Sequence, residues 1–122
     1  MSDTAIEGTW QIESAELAGE KMPDLVAHKI DVELAAGAYI VRFGGEVADR
    51  GTYEIGTHPG GTAITLKGVV GTNAGRTIPA VYRVVDGLLE ICYGLDGVVP
   101  ATFASHPGTA HFLARYRRKA AG

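Results

Sequence analysis

The sequence predicts an all-β protein: an antiparallel, up-and-down barrel of about eight strands with one short helix after the first strand. Three observations predict it. Apolar residues recur with period two, not 3.6, along "GTWQIESAELA", "HKIDVELA", "AYIVRF", "GTYEI", "TAITLKG", "TIPAVYRVV", "LLEICYG" and "AHFLARYRR". The turn signals between them, "AAGA", "GG", "THPGG", "GTNAG", "DG" and "LDG", are mostly short enough for hairpins, so sequence neighbours become antiparallel spatial neighbours. A meander of this length must hide its edge strands by closing or by packing as two sheets, and the parity of each strand favours closure.

In the first strand Trp10, Ile12, Ser14 and Glu16 share a face, opposite Thr9, Gln11, Glu13 and Ala15. That face is read as the inner one. "KMPDLVAHK" is the single helical candidate, with Pro23 suited to a first turn and Leu25 and Val26 supplying the side that lies on the barrel. The following strands turn inward Ile30, Val32 and Leu34; Tyr39, Val41 and Phe43; Tyr53 and Ile55; and Ile64 and Leu66. The last three contribute Tyr82 and Val84; Leu89, Ile91 and Tyr93; and Phe112, Ala114 and Tyr116. "AVYRVV" and "AHFLARY" are apolar on both parities, so a one-residue slip would invert them.

At 122 residues the chain is expected to form one domain, 1–122, around a single core. A formal charge of -3 and a pI near 5.7 create no field for phosphate backbones or acidic lipid, and nucleic acid and membrane are not expected partners. Cys92 is the lone cysteine, and "MSDTAIEG" has neither the basic nor the apolar region of a secretion signal, which sets the expectation of a cytoplasmic protein. No apolar run approaches the ~20 residues that span a bilayer.

The "GTW" that opens the first strand resembles the Gly-x-Trp signature of lipocalins and the wider calycin barrels. That resemblance implies that Trp10 plugs the closed end and that a basic residue of the last strand, Arg115 or Arg117, stacks across it. More closely, the chain is similar to a small lipocalin-like domain family of largely unknown function, frequent in planctomycetes. The similarity runs from "GTWQIESAELAGEKMP" through "YIVRFGGEVADRGTYEI" and "VYRVVDGLLEICYG" to "FASHPGTAHFLARYRR". It implies a fold and brings no catalytic residues with it. Members often carry secretion signals, from which this chain departs.

A barrel of about eight strands is wide enough to hold one small ligand or to be filled by its own side chains. For an open chamber, the ligand-binding candidates are Ser14, Tyr39, Val41, Tyr53, Tyr82, Ile91, Tyr93 and Phe112. Glu16 is the candidate acid or base, since a carboxylate facing an apolar chamber has its pKa raised; the alternative is a solvated Glu16 at the mouth. Ser14 either binds ligand or satisfies nearby backbone, the tyrosines either hold a carbonyl or enolate oxygen or are ordinary core, and Tyr116 is read as structural, near the plugged end.

His28, His58, His106 and His111 lack the spacing of a metal motif, and no metal is expected. Nitrobindin-type barrels ligate haem through one histidine after a similar Gly-Thr-Trp, but their glycine-rich continuation is missing here; no cofactor is expected. "GTNAGRT" is one residue short of a phosphate loop, has Arg76 in place of its lysine and lies between strands, so it reads as a plain loop. "SHPGTAH" reads as a turn, and Cys92 as a quiet packing residue.

The leading functional reading is a module that binds a small apolar or amphipathic molecule through a mouth rimmed by "AGEKMPDLV" and the hairpin loops. The alternative is a small cyclase- or isomerase-type barrel enzyme of a natural-product pathway, which orients its substrate in the same chamber with one acid or base. A weaker alternative is a protein-interaction module. "AVYRVV" also suits the surface of a homodimer.

Overall fold

A computed structural model describes residues 6–58, 61–100 and 110–119. Among the described residues nine strands form one antiparallel sheet: β1 (Gly8–Leu17), β2 (Glu20–Lys21), β3 (Ile30–Ala35), β4 (Ala38–Phe43), β5 (Glu46–His58), β6 (Gly61–Gly71), β7 (Thr77–Val85), β8 (Leu88–Gly94) and β9 (His111–Arg118). The two-residue β2 only folds back on the end of β1. The other strands pair in sequence order from β3 to β9, and β1 pairs with both β3 and β9, which closes an eight-stranded up-and-down barrel of lipocalin-like form.

Local sequence explains the tight closures. Ala36–Gly37 and Asp86–Gly87 hold positive φ at both positions, the geometry of a two-residue turn whose twist matches the flanking strands. The Ala36 amide also donates to the Glu7 carboxylate at 2.8 Å, which ties this turn to the start of β1.

The inner faces of β3 to β9 follow the expected parity, including β7 and β9, where Ala80, Tyr82, Ala114 and Tyr116 enter the core, but Phe43 and Val84, expected to turn inward, are exposed where their strands reach the barrel ends. In β1 the parity breaks. Ile12 pairs with Tyr116 and Ser14 with Arg115, so Glu13 is an extra residue, a β-bulge. Beyond it Ala15, 1% exposed, takes the inner position, and Ser14 and Glu16 move to the outer parity, Glu16 opposite Leu113. The inward assignment of Ser14 and Glu16 is therefore corrected.

The helix α1 (Asp24–Ala27) is a single turn after Pro23. Its barrel-facing residue is Ala27, fully buried, whereas Leu25 is 84% exposed and Val26 is also exposed. A turn this short presents one residue to the barrel, and its position places Ala27 there, not the two larger side chains.

Outside the barrel, Val81, Cys92 and Leu113 form a second buried cluster on β7, β8 and β9. Chain beyond β8 folds back here: a Cβ on Gly94 would fall 1.8 Å from the Val98 carbonyl, and Pro100 is buried. Cys92 therefore packs on the outer face, fully buried. Beside this cluster Glu90 lies between Arg83, at 2.6 Å, and Arg115, at 2.5 Å.

Candidate functional site

The barrel interior divides into two halves. At the end where β1 begins, Trp10, Leu34, Tyr53, Ile64, Tyr82 and Leu89 are all buried in one continuous core. Trp10 donates its indole N–H to the Ile6 carbonyl at 2.8 Å, and the Arg118 guanidinium carbon lies 4.2 Å from its ring centroid. Gly8, at φ +133°, permits this: a Cβ there would meet Arg118 Nη1 at 2.5 Å. The stacked cation is thus Arg118, correcting the assignment to Arg115 or Arg117. On β9 the even positions 112, 114 and 116 face inward, so the next inward side chain is 118, while Arg115 turns outward to Glu90.

The other half is open. A cavity of about 220 Å³ is lined by Ile12 of β1, Ile30 and Val32 of β3, Tyr39 and Val41 of β4, and Ala48 and Asp49 of β5. Leu66, Ile78, Tyr93, Phe112 and Tyr116 complete the wall, with Thr72, Asn73 and Leu95 from the loops after β6 and β8. Tyr39, Val41, Tyr93 and Phe112 were expected here. Tyr53, Tyr82 and Ile91 belong to the filled half, and Ser14 and Glu16 lie on the outer parity of β1. Tyr116, expected near the plug, lines the cavity instead, because its ring reaches along the barrel to Tyr93.

Two polar groups stand on facing walls. On β5, Asp49 is 5% exposed and accepts three hydrogen bonds: from Tyr39 Oη at 3.2 Å, Asn73 Nδ2 at 2.8 Å and the Asn73 backbone N–H at 3.3 Å. Burial, and then the adjacent Asp49 charge, push the Tyr39 phenol well up. Across the barrel the Tyr93 and Tyr116 hydroxyls share a hydrogen bond of 2.8 Å, and the Tyr93 and Phe112 rings stack at 5.7 Å. Burial, reinforced by Tyr116, raises the Tyr93 phenol, and burial pushes Tyr116 up to about 12. All three phenols are neutral donors near neutral pH.

Asn73 reaches Asp49 because the loop dips into the mouth over Gly68, where a Cβ would fall 1.9 Å from the Asn73 carbonyl. The Gly68 N–H donates to Arg76 and the Gly75 N–H returns to Gly68, fixing the loop on β6. Arg76 then donates to Asn73 Oδ1 at 3.1 Å and to the Leu95 carbonyl at 2.7 Å, which turns the amide N–H groups of Asn73 toward Asp49. "GTNAGRT" is a loop, as expected, but one that furnishes the cavity wall.

Asp49 is the buried polar residue of the cavity wall that sequence reasoning missed. Its signal was present: stepping back by twos from Tyr53 passes Gly51 and arrives at Asp49, and β5 extends that far, to Glu46. Among the described residues no group of three His, Cys, Asp or Glu side chains could hold a metal ion, and no helix is long and apolar enough to cross a membrane. The turn at "SHPG", with His106, and residues 59–60 of "THPGG" lie outside the described residues. No family model matches the chain, and comparison with curated proteins and with solved structures gives no significant match.

Proposed function

We propose that the protein binds a small amphipathic molecule in the open half of its barrel. The observation that carries this reading is the division of the interior: side chains fill one half around Trp10, and the other retains about 220 Å³ with its polar groups gathered at Asp49 and at the Tyr93–Tyr116 pair. An interior built only for stability would close-pack throughout. The occupant is small, since pockets for drug-sized ligands run from about 300 to 1,000 Å³.

The facing carboxylate and phenols also support the enzymatic alternative. Asp49 could exchange a proton with a substrate whose oxygen rests on Tyr93 and Tyr116. Binding is the preferred reading because three of the roughly four lone-pair positions of Asp49 are already occupied.

Native against denaturing mass spectrometry of protein purified from its own host tests the proposal. The expected result is a small mass that leaves on denaturation and is missing from Val41→Phe, which fills the cavity. In protein that emerges empty, methyl NMR with a panel of small aromatic and aliphatic compounds should move the Ile12, Ile30 and Ile78 methyls and leave Ile64 in place. If the cavity methyls respond to none of them, the reading fails.

A further inference from the structure

Among the residues that line the cavity, Asp49 is the single Asp, Glu, Lys, Arg or His. Its carboxylate is nine-tenths buried, and its three hydrogen-bond donors, the Tyr39 phenol and two N–H groups of Asn73, are all uncharged. Among the described residues no Lys, Arg or His forms an ion pair with it; Arg76, which reaches this loop, is spent on Asn73 and Leu95. The contrast with the outer face is direct: the buried carboxylates there, Asp31 and Glu90, are flanked by Arg42 and Lys119 and by Arg83 and Arg115. A carboxylate buried in apolar surroundings is stabilised by a countercharge, and this side chain faces an apolar chamber.

We propose that a protonated amine supplies that countercharge: the ligand is a small primary ammonium with an apolar, preferably aromatic, body. This rests on the ligand-binding reading above. Asp49 Oδ1 accepts one hydrogen bond against two at Oδ2, so a lone pair remains there for an ammonium N–H. The body of the ligand lies toward the Tyr93–Phe112 stack on the opposite wall, whose ring faces suit both an arene and a nearby cation. A cavity of ~150 Å³ takes benzene, so this one accommodates roughly nine non-hydrogen atoms. The same geometry rejects fatty-acid-like ligands, since a second carboxylate beside Asp49 would stand unpaired in a low dielectric.

The test is a matched series on the unaltered protein at pH 7 in 0.1 M salt: 2-phenylethylamine, 2-phenylethanol and phenylacetate, followed by calorimetry and by the methyl signals of Ile12, Ile30 and Ile78. The expected result is binding of the amine at least tenfold tighter than the alcohol, with no uptake of phenylacetate, and loss of the amine preference in Asp49→Asn. Should that variant fail to fold, the ligand series on the unaltered protein decides alone. Equal binding of alcohol and amine, or preference for phenylacetate, would overturn the ammonium assignment while leaving a binding chamber in place. Failure of all three to move the cavity methyls would overturn this inference, and silence across the wider panel as well would remove the chamber itself.

Discussion

Arg118 lies over the face of Trp10, its guanidinium carbon 4.2 Å from the ring centroid, and the two residues are directly paired across β9 and β1. The contact seals the end of the barrel where strand pairing alone leaves an opening. It also fixes Arg118, whose Nη1 donates to the Glu7 carbonyl at 2.7 Å.

Removing the plug should be expensive. Trp10→Ala is expected to destabilise by ~3–5 kcal/mol in urea denaturation, as for other large core truncations. Arg118→Ala should cost less, ~0.5–2 kcal/mol for the stacked cation. A loss under about 1 kcal/mol for Trp10→Ala would show that the ring is not structural.

Glu90 links the outer face to acid sensitivity. Burial alone would raise its carboxyl, but hydrogen bonds from Arg115 and Arg83 outweigh burial and hold it below its ordinary 4.5. Because the folded pKa is the lower one, the contribution is fully present above about pH 5 and is lost as pH falls through the folded value. Glu90→Gln should therefore be less stable than the parent by ~1–2 kcal/mol at pH 7, a figure discounted for the half-exposed arginines. The gap should narrow steadily below pH 4.5 in denaturation curves taken at several pH values; a constant gap would mean that the loss is packing and not charge.

The Tyr93–Tyr116 pair invites a double-mutant cycle. Each single change to Phe leaves one buried hydroxyl without its present partner and should cost ~1–3 kcal/mol, while the double change should fall short of the sum by ~0.5–3 kcal/mol. Additive losses would show that the hydrogen bond is not formed in solution.

The same phenols predict alkaline behaviour. Their pKa values are raised in the folded protein, Tyr116 to about 12, so the unfolded chain releases protons first and stability declines as pH rises above 10. Absorbance titration of phenolate should show Tyr39, Tyr93 and Tyr116 ionising together with unfolding; ionisation of all five tyrosines near pH 10 in folded protein would contradict this.

Gly68→Ala tests how the loop is seated. Its Cβ would collide with backbone at Asn73, so the loop must rise and the Asn73–Asp49 hydrogen bonds must lengthen or break. Expected are weaker ligand binding, by at least tenfold, and altered amide signals for residues 72–76, with the barrel strands intact by circular dichroism. Unchanged binding would detach Asn73 from the site.

Much of this was legible in the residues, and the exceptions have physical reasons. The period-two pattern located every long strand and the inner faces of β3 to β9 apart from the strand-end residues Phe43 and Val84, since burial of one face fixes register. Pattern cannot foresee a bulge, however: an extra residue at Glu13 leaves the composition of β1 unchanged while inverting everything after it, so Ser14 and Glu16 were placed inside. Asp49 was overlooked for the opposite reason, because a charged residue before "GTYEI" reads as loop although β5 begins at Glu46. Depth along the barrel was also hidden. Tyr53 and Tyr82 share the inward parity of Tyr39 and Tyr93, yet one pair lies in the packed half and the other at the cavity, a difference set by strand stagger and not by alternation.

The extra residue at Glu13 has a consequence for how such a chamber changes over generations. Loss of this single codon would straighten β1 and, by strict alternation from Ile12, leave Ser14 outward, Ala15 inward and Glu16 outward, as they are now. The cavity wall would therefore keep Asp49 as its single carboxyl side chain. The bulge thus makes the first strand tolerant of a one-residue deletion that would invert every later side chain in a strand without one.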